Sequence, residues 1–334
     1  MSDTKKIIND PKKVVPELLE GLVAASHGSL KIVDGTTAVI RSKLTEGKVG
    51  LLTGGGSGHE PLTGGFVGEN LADGAVCGNV FASPTPDIIY EAIKAVEKGK
   101  GVLNLVLNYA GDNMNFEIAC EMAEADGIET RSVQVWDDVL SASKDKTEDR
   151  RGIAGMVQAL KIVGAAASEI SDLNELERIA IKTRDSLCSV GVAVSAGSIP
   201  ETGEPTFTLA ADELEIGLGI HGEPGVERQK LIPADELTDM MVDKLLADLP
   251  FQQGDRICLL VNNLGATTTM ELLIVNRRIR QILEEKGIVV YDTLLGTYCT
   301  SLEMAGFSIS FMKLDDELQK YYDMPARSVA FCKG

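Results

Sequence analysis

Residues 87–109, DIIYEAIKAVEKGKGVLNLVLNY, contain the change of period that decides the fold. Ile88, Ile89, Ala92, Ile93 and Val96 recur at the spacing of one helix face, with Asp87 at the capping position and Gly99 past the end. Beyond Gly101 the pattern becomes an almost unbroken apolar run of strand length, VLNLVL. Such a run suits a strand covered on both faces.

The same rhythm extends in both directions. KVGLLT (48–53) reads as a buried strand and leads into GGGSGHEP (54–61). GAVCGNVFAS (74–83) reads as another strand, ended by SPTPD (83–87). GDN (111–113) reads as a turn, MNFEIACEMAEADG (114–127) as a helix and TRSVQVW (130–136) as a strand. Two helical stretches follow, at 150–169 and 172–189. Strands joined through helices imply a largely parallel sheet with helices on its faces.

The rhythm changes after about residue 185. VGVAVSAG (190–197), FTLA (207–210) and ELEIGLGI (213–220) read as strands around the Pro/Gly-rich loop SIPETGEPT (198–206). Amphipathic helices at 233–250 and 267–287 then alternate with strands at 256–265, 288–295 and 306–314, before a last helix. The expected architecture is two α/β domains, 1–185 and 186–334, with mixed, largely parallel sheets flanked by helices.

Composition narrows the function classes. The chain has 334 residues, 50 acidic against 32 basic, and a net charge of −18. That field repels phosphate backbones and argues against direct nucleic-acid binding. The start, MSDTKKIINDPKK, lacks the apolar core of a signal peptide, and no apolar run reaches the ~18 residues that cross a bilayer. The six cysteines are scattered without a CxxC pair, so neither a zinc site nor a redox motif is expected, and a reducing cytoplasm is.

Four loops carry candidate chemistry. In GGGSGHEP, Gly56, Ser57 and Gly58 precede His59; the glycines admit close backbone approach, and successive N–H groups suit an oxygen-rich ligand. The loop fits neither GxGxxG nor GxxxxGK[ST]. A tight turn with a structural histidine is the alternative. In NYAGDNMNF (108–116), Asp112 stands at a strand end, open to three roles: a helix cap, or an acceptor for a substrate hydroxyl or for a catalytic imidazole. In GIHGEPG (219–225), His221 is one of only three histidines, and the glycines around it leave its imidazole open to a carbonyl carbon. A histidine satisfying backbone groups in a turn is the competing interpretation. In NNLGATTTMELL (262–273), Asn262, Asn263 and Thr267–Thr269 suit helix capping. His27, in AASHGSL, reads as a surface residue after a helix.

Together GGGSGHEP, FASPTPD, NYAGDNMNF, GIHGEPG, LVNNLGAT and GTYCTSLEMAGFS, in this order, resemble the substrate-binding K subunit of dihydroxyacetone kinase. The likeness covers essentially the whole chain and stops short of a fused nucleotide domain, as in the phosphoenolpyruvate-driven bacterial systems. The resemblance implies that His221 bonds covalently to the ketone carbon as a hemiaminal, and that His59 is a general base beside the reacting hydroxyl. It implies that Asp112 orients that hydroxyl, while Gly56, Ser57, Gly58 and Ser83 line the substrate. It further implies a homodimer working with a nucleotide-bearing L subunit, which holds ADP or ATP and magnesium, so that this chain binds no cofactor or metal itself. One position departs from the pattern: Leu107 stands where kinases of this type carry a lysine. That departure is compatible with another short ketose such as erythrulose, or with a paralogous coactivator that binds dihydroxyacetone and acts through a transcription regulator.

Overall fold

The computed structural model describes residues 5–334, and the chain divides into two compact units. The N-terminal unit holds Lys5–Val135, Ala159–Arg184 and Leu318–Gly334; the C-terminal unit holds Trp136–Gln158 and Asp185–Glu317. The first stretch supplies α1 (Val14–Ala25), β1 (Leu30–Ile32), β2 (Ala38–Arg41), β3 (Gly50–Ser57), β4 (Gly68–Glu69), β5 (Gly74–Val80), α2 (Pro86–Val96), β6 (Val102–Leu107), α3 (Ala110–Ala125) and β7 (Thr130–Val135). Then come α4 (Met156–Glu169), α5 (Leu173–Asp185), β8 (Leu187–Ser195), β9 (Glu213–Ile216), β10 (Glu227–Lys230) and α6 (Ala234–Asp248). The chain ends with β11 (Arg256–Asn263), α7 (Thr269–Glu285), β12 (Val289–Gly296), β13 (Ala305–Leu314), α8 (Asp316–Asp323), β14 (Ala326–Ser328) and β15 (Cys332–Lys333).

The N-terminal sheet has the order β1-β2-β5-β3-β6-β7. The pairs β5–β3, β3–β6 and β6–β7 are parallel; the two pairs at the β1 edge are antiparallel. β6 is buried along its whole length, as its apolar run requires. Leu52, Val76 and Val106 pack on one face with Ile89, Ile93 and Phe116 from α2 and α3. Val39, Ala75 and Cys77 pack with Val15 and Leu19 of α1. A small antiparallel sheet, β15-β14-β4, ties the C-terminal residues to this unit.

The C-terminal sheet has the order β10-β9-β8-β13-β11-β12. Only β11–β12 is parallel there, so the expected parallel pairing is concentrated in the first sheet. Its core gathers Val190, Val192, Ile257, Leu259, Ile309 and Phe311 with Met241, Leu245 and Ile279 from α6 and α7.

The units do not follow a single cut at 185/186. Residues 136–158 belong with the later half because Asp138 bridges Ser189, Val139 enters the second core, and Arg150 makes a two-armed pair with Asp248 at 2.7 and 3.0 Å. Residues 318–334 return to the earlier half because β14 pairs with β4, and the buried Lys161 ammonium donates to the Tyr321 carbonyl at 2.7 Å. Such long-range pairings leave no periodic trace in a sequence.

Local boundaries also differ from expectation. The N-cap position of α2 is Thr85, whose side chain makes no capping hydrogen bond; Pro86 and Asp87 lie in the first turn, so Asp87 is not the cap. α3 begins at Ala110 and absorbs the expected GDN turn. FTLA forms no strand, and residues 150–155 are irregular before α4. Thr268 caps α7 in a reciprocal box with Glu271, while Asn262 accepts from the N–H groups of Tyr298 and Cys299. His27 is exposed just after α1.

Candidate functional site

In the N-terminal unit the candidate residues collect where β3, β5 and β6 end. These are neighbouring strands, β3–β5 and β3–β6 being parallel pairs, and ligands of open α/β sheets gather at such carboxyl ends. β3 runs into Ser57, whose hydroxyl donates to the Gly78 carbonyl at 2.7 Å and fastens the glycine loop to β5. His59 is buried, and its ring stacks on Phe81 with centroids 5.1 Å apart and planes 23° from parallel. The Gly58 N–H donates to the Glu60 carboxylate at 3.1 Å. Burial pushes the Glu60 carboxyl above its usual range, against the pull of that N–H.

Asp112 lies in the first turn of α3, after the capping position Tyr109, so it is not the helix cap. Its carboxylate is buried, in the field of a helix N-terminus that favours negative charge. A Cβ placed on Gly55 would lie 3.9 Å from each Asp112 carboxyl oxygen, which puts that carboxylate over the glycine strand. Ser83 sits in the turn after β5, where its hydroxyl accepts from the Asn115 amide at 3.2 Å and so is tied to α3. Leu107 is the buried last residue of β6, in register with Val135.

His221 belongs to the C-terminal unit, in the loop between β9 and β10. Its Nδ1 lies 3.0 Å from Glu223 Oε1, and its backbone N–H donates to Glu223 Oε2 at 2.9 Å. A carboxylate only accepts, so Nδ1 carries the proton; whenever the ring is neutral, its lone pair is then on Nε2. Burial opposes the charged form of Glu223, but the hydrogen bond and charge of His221 outweigh it and bring the pKa down to about 2. With its side chain 23% exposed, His221 is accessible to a small ligand.

The loop is held from beneath. Arg151 donates to the Gly217 carbonyl at 2.9 Å and to Asp138 at 2.8 Å. Burial raises Asp138 to about 6, against the pull of Arg151. Gly219 leaves room for this arrangement: a Cβ there would fall 2.1 Å from Glu223 Oε2 and 2.5 Å from Arg151 Nη1. Gly219 therefore admits the histidine's own carboxylate partner.

Thus His59, Asp112, Ser83, Leu107 and the glycine loop share one unit, and His221 lies in the other. Glu223, Arg151 and Phe81 have structural partners that reasoning from the sequence did not assign. The His-x-Glu spacing in GIHGEPG was a usable signal for Glu223. Nothing comparable marks Phe81 or Arg151, whose contacts are long-range. Among the described residues no helix is long and apolar enough to cross a membrane, and no cluster of three metal-ligating side chains forms.

The Dak1 domain matches residues 20–330. The chain is 45% identical to the dihydroxyacetone-binding subunit DhaK of the PTS-dependent dihydroxyacetone kinase 1 of Listeria innocua, over 96% of this chain and 97% of that one. It superposes on the dihydroxyacetone kinase of C. freundii with a TM-score of 0.87 at 32% identity, covering 98% of this chain and 60% of that one. It superposes on the dihydroxyacetone kinase operon co-activator DhaQ with a TM-score of 0.89, also at 32% identity, covering 94% and 97%. The chain belongs to the Dak1 family, which includes the dihydroxyacetone-binding subunits of dihydroxyacetone kinases.

Proposed function

We propose that this chain is the dihydroxyacetone-binding subunit of a phosphoenolpyruvate-dependent kinase. One observation carries the covalent part: the 3.0 Å contact from His221 Nδ1 to Glu223, which leaves Nε2 as the nucleophile. Nε2 forms a bond to the ketone carbon, the carbonyl π pair moves to oxygen, and that oxygen takes up a proton from solvent. The positive charge left on the ring is offset by Glu223. A three-carbon polyol has too little apolar area for selection by burial, so a carbonyl-specific bond separates ketose from glycerol.

Asp112 supplies an anionic acceptor for a terminal hydroxyl, and His59 removes its proton as phosphoryl transfer proceeds. The phosphoryl group comes from a nucleotide-bearing L subunit, with ADP or ATP and magnesium held there and none on this chain. Catalysis then rests on positioning and on charges contributed by the partner. The working form is a cytoplasmic homodimer, which light scattering tests directly. The decisive assay supplies L and M subunits with phosphoenolpyruvate and follows dihydroxyacetone phosphate. A wild-type chain that captures ketose without turnover defeats the kinase assignment.

Leu107 favours a second role. An apolar residue closes β6 where the family resemblance implies a lysine, and the fold matches the co-activator DhaQ with a TM-score of 0.89, although the identity is 32% there against 45% to the Listeria kinase subunit. A coactivator would bind a transcription regulator more tightly with dihydroxyacetone than without; equal retention in a pull-down counts against it. Comparing turnover on erythrulose and dihydroxyacetone tests a changed ketose preference.

A further inference from the structure

We propose that Phe81 positions His59, and that Gly56 and Gly58 lack side chains so that Phe81 can do so; this rests on His59 being the base for the substrate hydroxyl. The Phe81 ring stacks on the imidazole at 5.1 Å and 23°. Phe81 reaches that place only by adopting φ +57°, a conformation that disfavours residues with a side chain. One hydrogen bond holds it there, and two glycines leave it room. Its N–H donates to the Ser57 carbonyl at 2.9 Å. A Cβ on Gly58, itself at φ +103°, would come within 2.8 Å of the Phe81 ring. A Cβ on Gly56 would come within 2.8 Å of the Ala82 nitrogen and 3.1 Å of Phe81 Cα. The 81–82 backbone and the Phe81 ring thus occupy the space that side chains at 56 and 58 would take.

The consequence is mechanistic. A general base must hold its nitrogen within hydrogen-bond reach of the proton it takes. An imidazole turns about two side-chain bonds, and an aromatic face against it restricts both. Phe81 is a positioning residue: it touches the base and needs no contact with the substrate.

The test compares Phe81→Leu with Phe81→Tyr in the reconstituted kinase and in the free chain. The kinase should lose about ten- to a hundredfold in kcat with Phe81→Leu, the scale of a misplaced acid–base group. The KM for dihydroxyacetone and the yield of covalent adduct should stay within about twofold, because His221 is untouched. The ring-carbon NMR signals of His59, assignable in a chain with three histidines, should lose the ring-current shift of the stacked phenyl. Phe81→Tyr, which keeps the ring, should restore both kcat and that shift. Unchanged kcat in Phe81→Leu, equal impairment in Phe81→Tyr, or adduct yield falling in step with kcat overturns the proposal. If Phe81→Leu does not fold, Phe81→Gly accepts the positive φ and gives the same readings. A His59→Asn chain with normal turnover defeats the base assignment instead, while the ring-current comparison still reports whether Phe81 holds the imidazole.

Discussion

His221 and Glu223 meet across a single intervening glycine: one carboxylate oxygen faces the ring Nδ1 at 3.0 Å and the other accepts the histidine's own backbone N–H at 2.9 Å. Both oxygens of Glu223 are thus committed to the residue they orient. The contact fixes the tautomer and balances the charge that develops on the ring, as second-partner carboxylates do for other working histidines.

Glu223→Gln keeps an acceptor but loses the charge. Covalent capture of dihydroxyacetone, followed by intact-protein mass spectrometry after borohydride trapping, should fall about tenfold or more, the scale of a lost charge-assisted hydrogen bond. Equal capture would show that the carboxylate does not activate the ring.

The same pair sets a pH dependence. Glu223 titrates at about 2 in the folded chain against an ordinary 4.5, so the unfolded chain binds the proton more tightly. Its stabilisation is fully present above about pH 4.5 and is lost as pH falls towards about 2. Denaturant unfolding should show wild type more stable than Glu223→Gln near neutrality, with the gap closing across that acid window. A gap that widens in acid contradicts the pairing.

His221→Ala should abolish tight dihydroxyacetone binding, measured by calorimetry. His59→Asn should spare binding and lower turnover by about a hundredfold or more. Wild-type affinity in His221→Ala would remove the covalent premise.

Leu107→Lys introduces an ammonium at a buried strand end, so its melting temperature should drop. If the chain is already a competent kinase subunit, turnover should change by no more than about threefold. A gain of about tenfold or more would instead mark the natural chain as a non-catalytic or altered-substrate relative.

Arg150→Ala should destabilise the chain by about 3–5 kcal/mol, because it strands Asp248 after removal of a largely buried two-armed pair. A loss below about 1 kcal/mol would show that this pair does not anchor residues 136–158 to α6.

The sequence alone determined the α/β class, because helix and strand periods are local: the apolar face of 88–96 and the run at 102–107 sit as read, in α2 and β6. It also supplied the candidate loops, since glycine clusters and rare histidines are visible one residue at a time. It did not reveal that residues 136–158 and 318–334 change units, that the second sheet is mostly antiparallel, or that Phe81 covers the glycines beside His59. Those features depend on contacts such as Arg150 with Asp248 and Lys161 with Tyr321, between residues far apart along the chain. Only folding brings such partners together, so only the tertiary structure decides them.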